Sequence, residues 1–377
     1  METPENKKIS ARFSNLDAVR GLGVTILFIA HIETLKSYLG FPNFSKLFVQ
    51  YHFGFITLVV FFVLSGFLIT HLLLSEKTNK GEISALGFYK RRIYRLWPVY
   101  YLAFGVAVYI LPHFHIFTSI SYYSIEILKP TNWVGITLFL FHQPDVAFIK
   151  HVYQFIGQFW SIGVEEKFYF IWPLLLKYAK NPLKSLLVTL AILLILKTTI
   201  LLGVIYIPGS NTLGSIHTYF TRFMVDSMLM GGIIACLSVQ KHRFLERLYK
   251  RSTQWAAGVG IALLLIASFW GGMTHYFLFA PMVSVFILNM ATNPNSLVKI
   301  SNPVTNYIGK ISYGMYMYSI IVIVFTISIA QKLHLETNEW QFNVFIYLFS
   351  YLLATTVSSV SYYFFEKKFT TTTVSKI

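Results

Sequence analysis

Hydrophobic positions dominate this chain in long runs, separated by short polar stretches that are mostly basic. The apolar runs lie near residues 21–39, 53–74, 96–112, 131–148, 158–176, 185–207, 223–240, 254–271, 276–292, 311–330 and 342–365. A helix needs about 20 apolar residues to cross a hydrocarbon core of about 30 Å. The pattern therefore predicts a polytopic membrane protein built from helices. Two runs depart from it. The 131–148 run is short and holds His142, Pro144 and Asp145, which suits a re-entrant or surface-lying element. The stretch FWSIGVEEKFYFIWPLLL, Phe159 to Leu176, carries Glu165, Glu166 and Lys167 side by side. Each charge inside a spanning helix costs roughly 2.5–3.5 kcal/mol on insertion scales, so three together need a reason.

Composition agrees with the pattern. Of the 377 residues, 55% are hydrophobic and only 12% charged, where soluble domains carry about 25% charged; the mean hydropathy is +0.59. A net charge of +16 would suit a nucleic-acid binder, but 35 Phe and 24 Tyr set in apolar runs argue against one. In a membrane protein the Lys and Arg excess reports topology. If the 131–148 run does not cross, 23 basic residues fall on the side of the N-terminus and 4 on the other. The expected fold is all-α: ten transmembrane helices plus one re-entrant or surface-lying segment, with both termini cytoplasmic. It forms a single domain over 1–377, with a core of about 13–369 and cytoplasmic tails at 1–12 and 370–377. The first run is too long for a signal-peptide core and no small-residue cleavage site follows, so it reads as the first retained span. Cys236, the single cysteine, excludes an internal disulfide and a thiolate cluster. His113, His115, His142, His151 and His217 fall toward the outer side without Asp or Cys at ligand spacing, and no metal site is expected.

Ionisable residues inside spans are the candidates for chemistry. Arg20 and His31 are eleven apart in LDAVRGLGVTILFIAHIETL, which puts them about 20° from eclipsed and about 16 Å apart along a helix. Either the pair is functional, or His31 is satisfied inside the bundle and Arg20 marks orientation. In FYKRRIYRLWPVYY, Lys90 and Arg91 read as positive-inside charge. Arg92 and Arg95, neighbours three apart, could bind a phosphorylated ligand from the cytoplasm. Ser161, Glu165 and Tyr169 are spaced by four and form one polar stripe, with Glu166 about 100° away. If the stripe faces His31, a carboxylate could fix the imidazole tautomer and raise its basicity. Arg222 and Asp226 in TRFMVDSMLMGG are four apart and are expected to form a structural ion pair, while Gly231–Gly232 allows close helix approach. Lys197 has no evident partner in the sequence.

Taken in order, these segments resemble the membrane-bound acyltransferase-3 family. Arg20 to His31 resembles its Arg-ten-residues-His motif, FFVLSGFLIT its second-span signature, Arg92-Ile-Tyr-Arg95 its Arg-x-x-Arg element, and WSIGVEEKFYFIWP its Trp-Ser…Glu-Glu segment. TRFMVDSMLMGG, ISYGMYMYS and the closing FFEKKF also have counterparts. Val59, Gln158, Ser319 and Lys368 stand where the family often has an acidic residue, His, His and Pro. The resemblance implies an O-acyltransferase of the bacterial inner membrane, with acyl-CoA, in the first place acetyl-CoA, as co-substrate and no permanently bound cofactor. Its phosphates would meet Arg92, Arg95 and Arg20. His31 would act as base or transient acyl acceptor, Glu165 or Glu166 would be the carboxylate, and Ser161 and Tyr169 would complete the site. The implied acceptor is a sugar hydroxyl of a lipid-linked or surface glycan such as O-antigen (lipopolysaccharide) or exopolysaccharide. With no room in 377 residues for a further soluble transferase domain, transfer is expected to be complete within the bundle. The alternatives are acylation of a small molecule, as in macrolide or glucan succinylation, and transport of a glycolipid or metabolite.

Overall fold

A computed structural model of the chain describes residues 14–44, 52–120, 125–150, 152–207, 209–271 and 276–369. The tails 1–12 and 370–377, expected in the cytoplasm, and His151 lie outside the described residues. The described chain is all-helical apart from a two-residue parallel pairing of Ile125–Glu126 with Val152–Tyr153.

In chain order the helices are α1 (Ser14–Tyr38), α2 (His52–Lys80), α3 (Ala85–Gly105, prolonged by tighter and wider turns to His113), α4 (His115–Thr118), α5 (Trp133–Leu140), α6 (Pro144–Lys150), α7 (Trp160–Tyr178), α8 (Pro182–Tyr206), α9 (Asn211–Arg222), α10 (Val225–Val239), α11 (Leu245–Tyr249), α12 (Arg251–Gly271), α13 (Tyr276–Thr292), α14 (Pro303–Lys332) and α15 (Glu339–Val360, prolonged by a π turn, Ser361–Glu366). Among the described residues, seven stretches are long and apolar enough to cross a membrane: Asn15–Tyr38, Phe53–Lys80, Ala85–His113, Pro182–Tyr206, Asn211–Val239, Pro303–Lys332 and Glu339–Phe369. Arg251–Ala267 and Leu278–Thr292 are apolar but shorter. α7, at 19 residues, carries its three adjacent charges. By length and composition the chain is thus a multi-pass membrane protein with seven candidate spans among the described residues.

The backbone forms two compact units. The first comprises 1–23, 55–85 and 167–309; the second comprises 24–54, 86–166 and 310–377.

In the first unit, α2 and α10 meet backbone to backbone. A Cβ on Gly66 would collide with the Met228 carbonyl, and one on Gly231 with the Val63 carbonyl. This is the close approach that small residues permit between membrane helices. Trp172 locks the same contact by donating its indole N–H to Thr70 Oγ1 at 2.7 Å. Lys77 closes the far end of α7 by donating to the Leu176, Lys177 and Ala179 carbonyls at 3.1, 3.2 and 3.3 Å, which satisfies groups a helix C-terminus leaves open. α8 starts on Asn181, whose side chain accepts from Lys184 N, with Pro182 at its first position. Ile192, Ile195 and Ile205 on α8 are each at least 60% exposed, as a lipid-facing helix requires.

The ion pair expected between Arg222 and Asp226 is not the one formed. Asp226 Oδ1 lies 2.6 Å from Lys197 Nζ. The reason is local: the chain leaves helical geometry at Phe223 and Met224 (ψ 73° and 36°), between α9 and α10. A spacing of four brings side chains together only along an unbroken helix. Lys197 thereby gains the partner that the sequence did not reveal.

In the second unit, the 131–148 run is no spanning helix. It folds as α5 and α6, hinged at His142, which has a left-handed φ of 53°. Tyr100 and Tyr101 of α3 donate to the Phe139 and Leu140 carbonyls, both at 2.9 Å, and so answer the open end of α5. At the end of α1, Lys36 is fully buried and donates to Glu33 at 2.7 Å and Asn343 Oδ1 at 2.6 Å. The Tyr347 hydroxyl also donates to Glu33. A buried charge is tolerated when it is paired and hydrogen-bonded in this way.

Candidate active site

The second unit gathers polar side chains from α1, α7 and α14 around His31. Its Nδ1 is 3.1 Å from Ser319 Oγ, and Ser319 Oγ donates to the Tyr316 carbonyl on its own helix at 2.8 Å. A serine hydroxyl has one hydrogen to give. Since that hydrogen goes to Tyr316 O, Ser319 must accept from His31, and Nδ1 is the protonated nitrogen. Nε2 keeps its lone pair, and among the described residues nothing hydrogen-bonds it. The tautomer suited to a base is therefore set by a second residue, in the manner of an orienting group.

The Tyr316 ring lies 6.0 Å from the imidazole. Its hydroxyl donates to the Gln158 carbonyl at 2.6 Å and is 2.6 Å from Ser161 Oγ, which must then be the donor in that pair. Gln158 Nε2 donates to Met317 O at 3.0 Å. The start of α7 is thereby stitched to α14 by three bonds, and Ser161 sits one ring away from His31. Glu165, one turn further along α7, is close enough for its charge to act on Tyr316. Tyr169 continues the stripe on α7 within the first unit.

Glu166 turns elsewhere. It lies near Arg92 and within hydrogen-bonding reach of the Trp97 indole, both on α3. Arg95, one turn on, lies near Glu366 of the closing π turn and near Tyr362. Lys310 stands 5.0 Å from the centre of the same Tyr362 ring. Arg20 is paired with Asp17 at 2.8 Å in the first turn of α1. Outside the candidate spans, His142 is packed between Tyr100 and Trp97, with ring centres 4.2 and 4.7 Å away, and burial pushes its pKa down to about 4. A neutral imidazole is what so enclosed a position allows.

A family model described as an acyltransferase domain, that of the acyltransferase-3 family, matches residues 13–364. The chain belongs to the acyltransferase-3 family. It is 26% identical to the O-acetyltransferase OatA of Staphylococcus aureus over 398 aligned positions, covering 97% of this chain and 59% of that protein. It is 29% identical to the peptidoglycan O-acetyltransferase OatA of Listeria monocytogenes over 313 positions, covering 76% of this chain and 47% of that protein. The chain thus spans about half to three fifths of the length of these relatives. No solved structure matches it.

Within this acyltransferase-3 chain, His31, Ser161 and the Glu165 end of the stripe lie in one unit. The orienting group differs. His31 Nδ1 donates to Ser319, where a carboxylate was expected, and Glu166 lies near Arg92 instead. Tyr316 and Ser319 were missed as site residues. Both lie in ISYGMYMYS, three apart and so on neighbouring positions of one helix face, and that spacing was the available signal. Glu166 is tolerated in α7 because it lies near an arginine and an indole rather than lipid.

Proposed function

We propose that this chain is a membrane O-acetyltransferase acting on a sugar hydroxyl of a surface glycan, with peptidoglycan or its lipid-linked precursor as the first acceptor to test. The observation that carries the reading is the hydrogen-bond chain from His31 Nδ1 through Ser319 Oγ to the Tyr316 carbonyl, which leaves Nε2 as the base. In this reading acetyl-CoA enters from the cytoplasm, and ten crossings keep both termini on that side. Arg95 and Lys310, both near Tyr362, take its phosphates. Arg92 serves to neutralise Glu166, and Arg20, with Asp17 beside it, stays outside the reading.

His31 Nε2 removes the proton of the acceptor hydroxyl as its oxygen attacks the thioester carbonyl. The C–S bond breaks, CoA leaves as the thiolate, and the imidazolium returns the proton to it. The product is an acetate ester and free CoA. A neutral imidazole can both accept a proton and return it, as the two proton steps require. Ser161 and Tyr316 hold the polar wall of the chamber, and Glu165 supplies negative charge that favours the imidazolium formed in transit.

The test is direct. The protein, reconstituted in proteoliposomes with acetyl-CoA labelled in the acetyl group outside, is given a muropeptide acceptor. Base-labile label on the glycan supports the reading. Acceptor carried across the membrane without ester formation would contradict it and favour transport.

A further inference from the structure

A second polar cluster in the same unit holds bonding capacity that the fold leaves unused. The Tyr101 hydroxyl donates its one hydrogen to the Leu140 carbonyl at 2.9 Å. It must therefore accept the Nε2 hydrogen of His142, 3.1 Å away. His142 Nδ1 is then a bare acceptor on a side chain only 7% exposed. Among the described residues nothing hydrogen-bonds this nitrogen, nor Oε1 of Glu166, and both atoms are closed to solvent.

Trp97 joins the two. Its ring stacks on His142 at 4.7 Å, and its N–H points to the Glu166 carboxylate. Tyr100 and Tyr101 flank the imidazole at 4.2 and 5.2 Å, and both feel the charge of Glu166. A buried acceptor left unpaired is unfavourable, so two of them around one indole point to hydrogen-bond donors supplied by a ligand. Arg92 already places a positive charge near Glu166, so the missing group need not be a cation. What fits is a neutral group rich in donors, set against aromatic walls.

We propose that Trp97, His142 and Glu166 form the binding subsite for the acceptor, receiving the hydroxyls of a pyranose ring. The inference rests on the acyl-transfer reading and adds to it the residues that hold the acceptor. The pantetheine arm of an acyl-CoA carries similar neutral donors, and the experiment separates the two sources.

Protein in nanodiscs is titrated with chitotetraose, with its permethylated form, which has no donors, and with pantetheine, and binding is read by saturation-transfer NMR. Chitotetraose is expected to bind and the permethylated sugar is not. His142→Phe, which keeps an aromatic ring and loses the acceptor, is expected to weaken chitotetraose binding at least tenfold; Glu166→Gln provides the same comparison should His142→Phe fail to fold. Equal affinity in wild type and variants overturns the subsite, as does binding of pantetheine in place of the sugar, or no binding of chitotetraose to wild type. Acetyl transfer is measured on the same preparations. Normal transfer with unaltered chitotetraose affinity in the variants removes the subsite alone, whereas a wild type that binds the sugar but transfers nothing removes the acyl-transfer reading.

Discussion

His31 Nδ1 and Ser319 Oγ are 3.1 Å apart, and the Ser319 hydrogen is committed to its own helix. The imidazole is thus presented with Nε2 unprotonated. Ser319→Ala removes the acceptor and lets the ring exchange tautomers. A neutral hydrogen bond of about 1 kcal/mol corresponds to roughly a five- to tenfold loss in rate. The expected result is a kcat lower by about that factor with the KM for acetyl-CoA unchanged. Ser319→Thr, which keeps the hydroxyl, restores most of the rate.

Tyr316 links three groups through one hydroxyl. Tyr316→Phe leaves Ser161 and the Gln158 carbonyl without that partner. The cost expected for buried polar groups left unpaired is about 1–3 kcal/mol, read as a lower melting temperature in detergent. Ser161→Ala, which removes only one bond, is expected to cost less.

Lys197 and Asp226, 2.6 Å apart, are expected to couple in a double-mutant cycle where Arg222 and Asp226 do not. Removing one partner of a buried pair costs about 3–5 kcal/mol. Lys197 keeps part of its side chain accessible, so the expected loss for Asp226→Ala is smaller. Lys197→Met combined with Asp226→Leu is expected to recover most of it, because neither charge is then left alone.

Burial holds the folded-state pKa of His142 at about 4, below its ordinary value of 6.5. A lowered histidine pKa means that the unfolded chain takes up a proton first on acidification. The His142 contribution is therefore fully present above pH 6.5 and is lost as pH falls from 6.5 toward 4, by about 1.4 kcal/mol per unit. Thermal unfolding between pH 7 and 5 checks this: His142→Phe is expected to flatten the acid side of the profile.

Most of the helical layout was legible because long apolar runs bounded by basic loops have few alternative structures in a bilayer. The 131–148 run was legible for the same reason in reverse, since Pro144 and Asp145 do not fit a span. Partners across helices were not. Whether Glu165 or Glu166 would meet a cation depends on the rotation of α7 against α3, which a spacing rule on one helix cannot supply. The Arg222–Asp226 expectation failed because two residues, Phe223 and Met224, leave the helix without Gly or Pro to announce it. Gln158 and Ser319, noted first as departures from the family pattern, prove to lie on either side of Tyr316, beside His31.

The most direct test of His31 as the base is single-turnover transfer of labelled acetyl from acetyl-CoA to a muropeptide by purified protein in lipid, with wild type set against a folded His31→Gln variant. General-base catalysis contributes about 10²–10⁴-fold, and a loss of that size with intact acetyl-CoA binding is the predicted result. Transfer by His31→Gln at the wild-type rate would contradict it.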